Sequence, residues 1–99
     1  MREKRVAVLV TYDRAIDEEL LDAISGAGVT FYTKWKEIVG VGRHDPHLGT
    51  PVWPGLNNAL LAVLPAGEKD EVLERIRSLQ GRFASAGLRA FVLPVLEEV

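Results

Sequence analysis

Asn58-Ala59-Leu60-Leu61-Ala62-Val63-Leu64 decides how this chain folds. Six consecutive apolar residues follow one asparagine, and Pro65-Ala66-Gly67 stops the run. A stretch of this length between turn residues reads as a strand buried on both faces. Working toward the C-terminus, Val72, Ile76, Leu79 and Phe83 recur at helical spacing, with Glu71 and Arg75 as an i,i+4 pair on the solvated side. Gly87 ends that helix. Arg89-Ala90-Phe91-Val92-Leu93-Pro94-Val95 then reads as a last strand, and Pro94 suits a sheet edge because it has no N–H to donate.

Toward the N-terminus, Gly40–Gly55 holds four glycines besides Pro46, Pro51 and Pro54, and reads as a long loop. Before it, Val29–Val39 alternates like a strand, and the lysines on one of its faces suit a sheet edge. Ile16, Leu20, Ile24 and Ala27 predict a helix that Asp13 caps and Gly26 and Gly28 end. Arg5-Val6-Ala7-Val8-Leu9-Val10-Thr11 is rich in β-branched residues and reads as the first strand. Trp35 alternates with Phe31 and reads as core or interface.

The order strand, helix, strand, strand, helix, strand is the split βαβ pattern of an α+β, ferredoxin-like βαββαβ sandwich. Strands one and three lie at the centre of an antiparallel sheet, with both helices on one face. An antiparallel sheet with one wet face should alternate polar and apolar residues. Residues 59–64 do not alternate, so something must cover the open face, and a second copy of the same sheet is the simplest cover. The residues themselves therefore predict an oligomer.

Composition narrows the function. The 99 residues form one domain, 1–99, with 47% hydrophobic and 26% charged residues, as in an ordinary globular protein. The absence of cysteine leaves no disulfide or thiolate zinc site and fits a reducing cytoplasm. The apolar run Val6–Val10 is too short for a signal peptide or a membrane span. A net charge of -2 argues against general nucleic-acid binding. There is no cysteine nucleophile, and Ser25, Ser78 and Ser85 have no histidine nearby in sequence, so nothing points to catalysis. Asp17-Glu18-Glu19 and Glu97-Glu98 read as solvated helix and chain ends.

Three stretches carry a family resemblance. Gly40-Val41-Gly42-Arg43 resembles the Gly-x-Gly-Arg at the base of the T-loop in P-II signalling proteins. Leu48-Gly49-Thr50-Pro51-Val52-Trp53-Pro54-Gly55-Leu56-Asn57 resembles a Gly-Thr-x-Val-Trp-Pro-Gly-x-Asn segment of their P-II-like relatives, whose central loop is short. Phe91–Val95 followed by Glu97-Glu98-Val99 resembles the family's closing strand almost residue for residue. The resemblance implies a non-enzymatic regulatory homotrimer that binds a small-molecule effector in clefts between subunits. It also implies that the 40–55 loop touches a partner such as a membrane transporter, an efflux pump or an enzyme. Two features depart from the classical pattern. The basic, glycine-rich loop after the second helix reads here as Phe83-Ala84-Ser85-Ala86-Gly87-Leu88-Arg89, and no arginine-bearing tail follows Val99. Both speak against tight ATP or ADP binding of the classical type.

The candidate effector residues are Gly40, Gly42, Arg43, Lys36 and Arg89. The two glycines either let backbone N–H groups approach an anion or only let the chain leave a strand. Arg43 suits a phosphate or carboxylate, Lys34 and Lys36 add charge beside it, and Arg89 and Arg82 are candidates to act from a neighbouring subunit. His44-Asp45-Pro46-His47 is the only cluster with metal-ligand chemistry, so His44, Asp45 and His47 are candidate ligands for zinc, nickel or copper. The candidate cofactors are an adenine nucleotide, which the resemblance implies, and a divalent metal on the histidine cluster; the residues do not choose between them. Trp53 reads as an anchor for the loop's return limb, and Asn57 and Asn58 as partners for backbone groups at the strand entry. Two further readings share the fold: a CutA-like metal-tolerance protein, and a small ferredoxin-like enzyme, which would need a buried titratable pocket.

Overall fold

In the computed structural model, residues 4–43 and 46–99 are described. Their elements are β1 (Arg5–Asp13), α1 (Asp17–Gly26), β2 (Thr33–Ile38), β3 (Gly40–Val41), β4 (Pro46–His47), β5 (Asn57–Pro65), α2 (Lys69–Arg82) and β6 (Arg89–Pro94). Single 3₁₀ turns, Arg14–Ile16 and Ala66–Glu68, lead into the helices. Asp13 caps the first of them, its carboxylate accepting from the Ala15 N–H at 2.9 Å.

The four long strands form one antiparallel sheet in the order β2-β5-β1-β6. The two apolar runs, β1 and β5, occupy the centre and pair along their full length, from Arg5 opposite Pro65 to Asp13 opposite Asn57. This is the ferredoxin-like arrangement, and Pro94 sits on an edge strand as its missing N–H requires.

Register sorts the side chains by face. Val8, Val10 and Tyr12 of β1 and Leu60, Ala62 and Leu64 of β5 are buried under the helices. They meet Leu20 and Ile24 of α1 and Val72, Ile76 and Leu79 of α2. Burying each of the large aliphatic side chains contributes roughly 2 kcal/mol, which makes this cluster the main source of stability. The opposite face carries Leu9, Leu61, Val63, Phe91, Leu93 and Trp35, and no helix covers it. Phe91 is 51% exposed, Leu93 45% and Trp35 47%, so a broad apolar surface faces outward. Trp35 therefore lies outside the core. Among the described residues, no helix is long and apolar enough to cross a membrane.

Three local expectations are corrected. The second strand begins at Thr33, not Val29, because the Gly28 and Val29 N–H groups close the end of α1 on the carbonyls of Ser25 and Ile24. Phe31, left outside both elements, is 86% exposed. The alternation also breaks within β2. Trp35 lies opposite Ala59 but Ile38 opposite Asn57, three steps against two, which is a β-bulge with Glu37 at φ 58. Finally, the 40–55 segment is not all loop, since β3 and β4 pair through Gly40–His47 and Val41–Pro46.

Candidate functional site

The bulge turns the chain out of β2 at the end of the sheet where Thr11, Asn57 and Arg89 lie on neighbouring strands. The residues leaving it, Ile38 to Arg43, face the connection between α2 and β6 across a cleft of about 810 Å³. Gln80, Ala84, Ser85, Gly87 and Leu88 form the far wall, and His47 returns to the near one.

Side-chain and backbone hydrogen bonds hold the far wall in place. The Asp13 N–H donates to the Ala86 carbonyl at 2.8 Å, and Gln80 Nε2 donates to the Leu88 carbonyl at 2.9 Å. Gly87 has φ +62 and nothing within 4 Å of where a Cβ would stand, so its backbone is bare toward the cleft. On the near wall, His47 Nδ1 lies 2.6 Å from Asn57 Oδ1. That oxygen carries no hydrogen, so Nδ1–H is the donor and Nε2 is left as the acceptor of the neutral ring. Nε2 stands 3.9 Å from the Asp13 carboxylate. Gly40 packs closely against this pair, since a Cβ there would meet Asn57 Nδ2 at 2.6 Å and push the amide aside.

The charge balance of the cleft is one-sided. Arg43 and Arg89 line it, and no carboxylate does among the described residues. Thr11, Ser85 and Gln80 offer polar groups, while Ile38, Val39, Val41 and Leu88 give an apolar wall. Such a lining suits an anionic ligand with one flat, apolar part.

Of the sequence candidates, Gly40, Gly42, Arg43 and Arg89 therefore meet in one cleft, and His47 joins them. Arg89 does so from the same chain as Gly42. Lys36 does not line the cleft; it belongs to the exposed bulge of β2. Arg82 stacks over the Phe83 ring, 5.1 Å from its centroid, and also stays outside. His44 and Asp45 lie outside the described residues. Among the described residues, no group of three or more His, Cys, Asp or Glu could hold a metal ion. Thr11 and Gln80 escaped the sequence reading, since a threonine in a strand and a glutamine in a helix carry no signal on their own, and Ser85 entered it only within the 83–89 stretch.

A second cluster lies beneath the bulge. Asp17 Oδ1 accepts from the Tyr12 hydroxyl at 2.5 Å and from Asn58 Nδ2 at 3.1 Å, while Oδ2 accepts from Lys34 Nζ at 2.9 Å. The expectation that Asp17 is a solvated helix-start charge is thereby corrected, and Lys34 pairs with it instead of adding free charge beside Arg43. Burial alone would raise the Asp17 carboxyl, but the bonds from Tyr12, Lys34 and Asn58 outweigh it and hold Asp17 below the ordinary aspartate value. Burial first, then the Asp17 bond and charge, push Tyr12 well above the usual tyrosine range. The cluster lines neither the cleft nor the smaller hollow beside Tyr32, and its bonds tie β1, β2 and β5 to the start of α1.

No family model and no curated protein matches the chain. Solved structures do. CPII from Thiomonas intermedia K12, bound to ADP and bicarbonate, superposes with a TM-score of 0.77 at 21% identity, covering 93% of this chain and 86% of that one. A putative PII-like signaling protein from Thermus thermophilus gives 0.69 at 17% identity, covering 94% and 88%. A DUF3240 family protein from Shewanella baltica gives 0.66 at 14% identity, covering 100% and 97%. At these identities the likeness is one of fold, and the fold is the ferredoxin-like one of PII-like proteins.

Proposed function

We propose that this chain is a non-enzymatic PII-like regulatory protein that binds an adenine nucleotide together with a small anion in the cleft beside Gly42. The observation that carries the reading is the pair Arg43 and Arg89 in a cleft lined by no carboxylate among the described residues. Two guanidinium groups give planar, permanent positive charge for phosphate or carboxylate oxygens, and the apolar wall offers a surface for a base. The ADP and bicarbonate named for CPII supply the ligands to try first.

The assembly in this reading is a homotrimer. The uncovered sheet face, with Phe91, Leu93 and Trp35 exposed, is the surface that three copies bury against one another. Thr11 and Arg89 lie on that same face by register, so a neighbouring copy would form part of the cleft wall. Occupancy then reaches the partner, a membrane transporter being the favoured kind, through the 40–55 segment that leaves the cleft. Its exposed Val41, Val52 and Trp53 form the contact surface.

Calorimetric titration with ADP, alone and with bicarbonate, tests the proposal. Saturable binding at one ADP per chain is expected, with a rise in melting temperature because the ligand binds only the folded state. Absence of both heat and thermal shift at millimolar ADP and bicarbonate would refute it.

A further inference from the structure

We infer that Asn58 is a positioning residue for the cleft: its buried amide holds the β2 bulge and thereby sets which way residues 38–43 face. The inference rests on the reading of the cleft as the effector site. Asn58 is 2% exposed, so both ends of its amide need partners. Its Oδ1 accepts the Glu37 N–H at 2.9 Å, and its Nδ2 donates to Asp17 Oδ1 at 3.1 Å. The side chain thus replaces, for Glu37, the strand carbonyl that the bulge takes away.

The need for a hold is visible in the backbone. Glu37 has φ 58, a left-handed conformation that costs a non-glycine residue energy and persists only where surroundings enforce it. The competing arrangement is a regular ladder without the extra residue. Because strand side chains alternate, that one-residue slip would turn each following residue to the other face. Gly40 and Arg43 would then leave the cleft, and Gly40 would lose its place against Asn57. The far end of the amide is anchored at the start of α1, since Asp17 is fixed by Tyr12 and Lys34. Asn58 therefore ties the loop base to the helix-covered core.

Two substitutions separate positioning from mere stability. Asn58→Asp keeps an acceptor for Glu37 but replaces the donor to Asp17 with a second, repelling carboxyl; Asn58→Ala loses both bonds. With ADP as the probe, Asn58→Asp should lower the melting temperature yet change affinity by less than about threefold. Asn58→Ala should weaken ADP by about tenfold and speed amide exchange at residues 37–43 beyond that of the rest of β2. Adding Glu37→Gly to Asn58→Ala should restore most of the affinity, because glycine adopts the left-handed conformation without help. Unchanged ADP affinity in Asn58→Ala overturns the inference, as does a loss that follows melting temperature equally in both variants. Should Asn58→Ala not fold, Asn58→Ser takes its place with the same expected outcomes. Should the unaltered protein bind no ADP, the effector reading fails. Exchange at 37–43 then decides the positioning role alone, faster local exchange supporting it and uniform exchange overturning it.

Discussion

The Tyr12 hydroxyl donates to Asp17 Oδ1 across 2.5 Å, from a ring that is fully buried between sheet and helices. This bond joins the end of β1 to the first residue of α1 and couples two titrations of opposite sense. Asp17 is held below its ordinary value and Tyr12 above its own, so folding favours the charged carboxylate and the neutral phenol.

The pH dependence follows by linkage. Asp17 contributes stability that is present above about pH 4 and lost as pH falls toward its lowered folded value. Tyr12 contributes stability that is present below about pH 10 and lost as pH rises above it. Urea unfolding across this range should show both limbs. Asp17→Asn should remove its share of the acid limb and cost about 2 kcal/mol at neutral pH, the worth of hydrogen bonds to a charged group. Tyr12→Phe should flatten the alkaline limb and cost about 1 kcal/mol. An Asp17→Asn variant with an unaltered acid limb would contradict this account.

Gly40 and Gly42 should respond differently to the same change. A Cβ at Gly40 meets Asn57 Nδ2 at 2.6 Å, whereas nothing lies within 4 Å of one at Gly42. Gly40→Ala should displace Asn57 from His47 and weaken ADP binding by about tenfold. Gly42→Ala should leave the fold intact, with a stability change within about 0.5 kcal/mol. Equal behaviour of the two variants, read by calorimetry and urea unfolding, would mean the close approach at Gly40 is relieved elsewhere.

Arg43→Ala and Arg89→Ala should each weaken ADP about tenfold, and added salt should weaken binding to the unaltered protein. Arg43 is exposed and lies off the sheet face, so the melting temperature of Arg43→Ala should barely move. Binding that is insensitive to either arginine and to salt would place the anion elsewhere.

Phe91→Glu puts a charge on the apolar sheet face, where Phe91 stands on the edge strand β6 opposite Leu9. On the trimer reading it should give a folded monomer by sedimentation equilibrium, with far-ultraviolet circular dichroism retained. A monomeric unaltered protein at high concentration would remove the trimer from the account.

The order of the elements, the central places of the strands around Val8 and Leu60, the Asp13 cap and the edge position of Pro94 are legible in residue order alone. Each follows from a local pattern: periodicity, a capping side chain, or a missing N–H. Residue order also brought Gly40, Gly42 and Arg43 forward through their resemblance to a family motif, and Arg89 as the cation that opens the last strand. Lys36 outside the cleft, Asp17 tied to Tyr12 and Lys34, and Gln80 bracing Leu88 emerge from the folded arrangement. It alone showed Asn58 meeting Asp17 from 41 residues away, beside a left-handed Glu37. The physical reason is register. One extra residue in β2 changes which side chains face each other, and no periodicity within a single strand records where its neighbour's residues will fall.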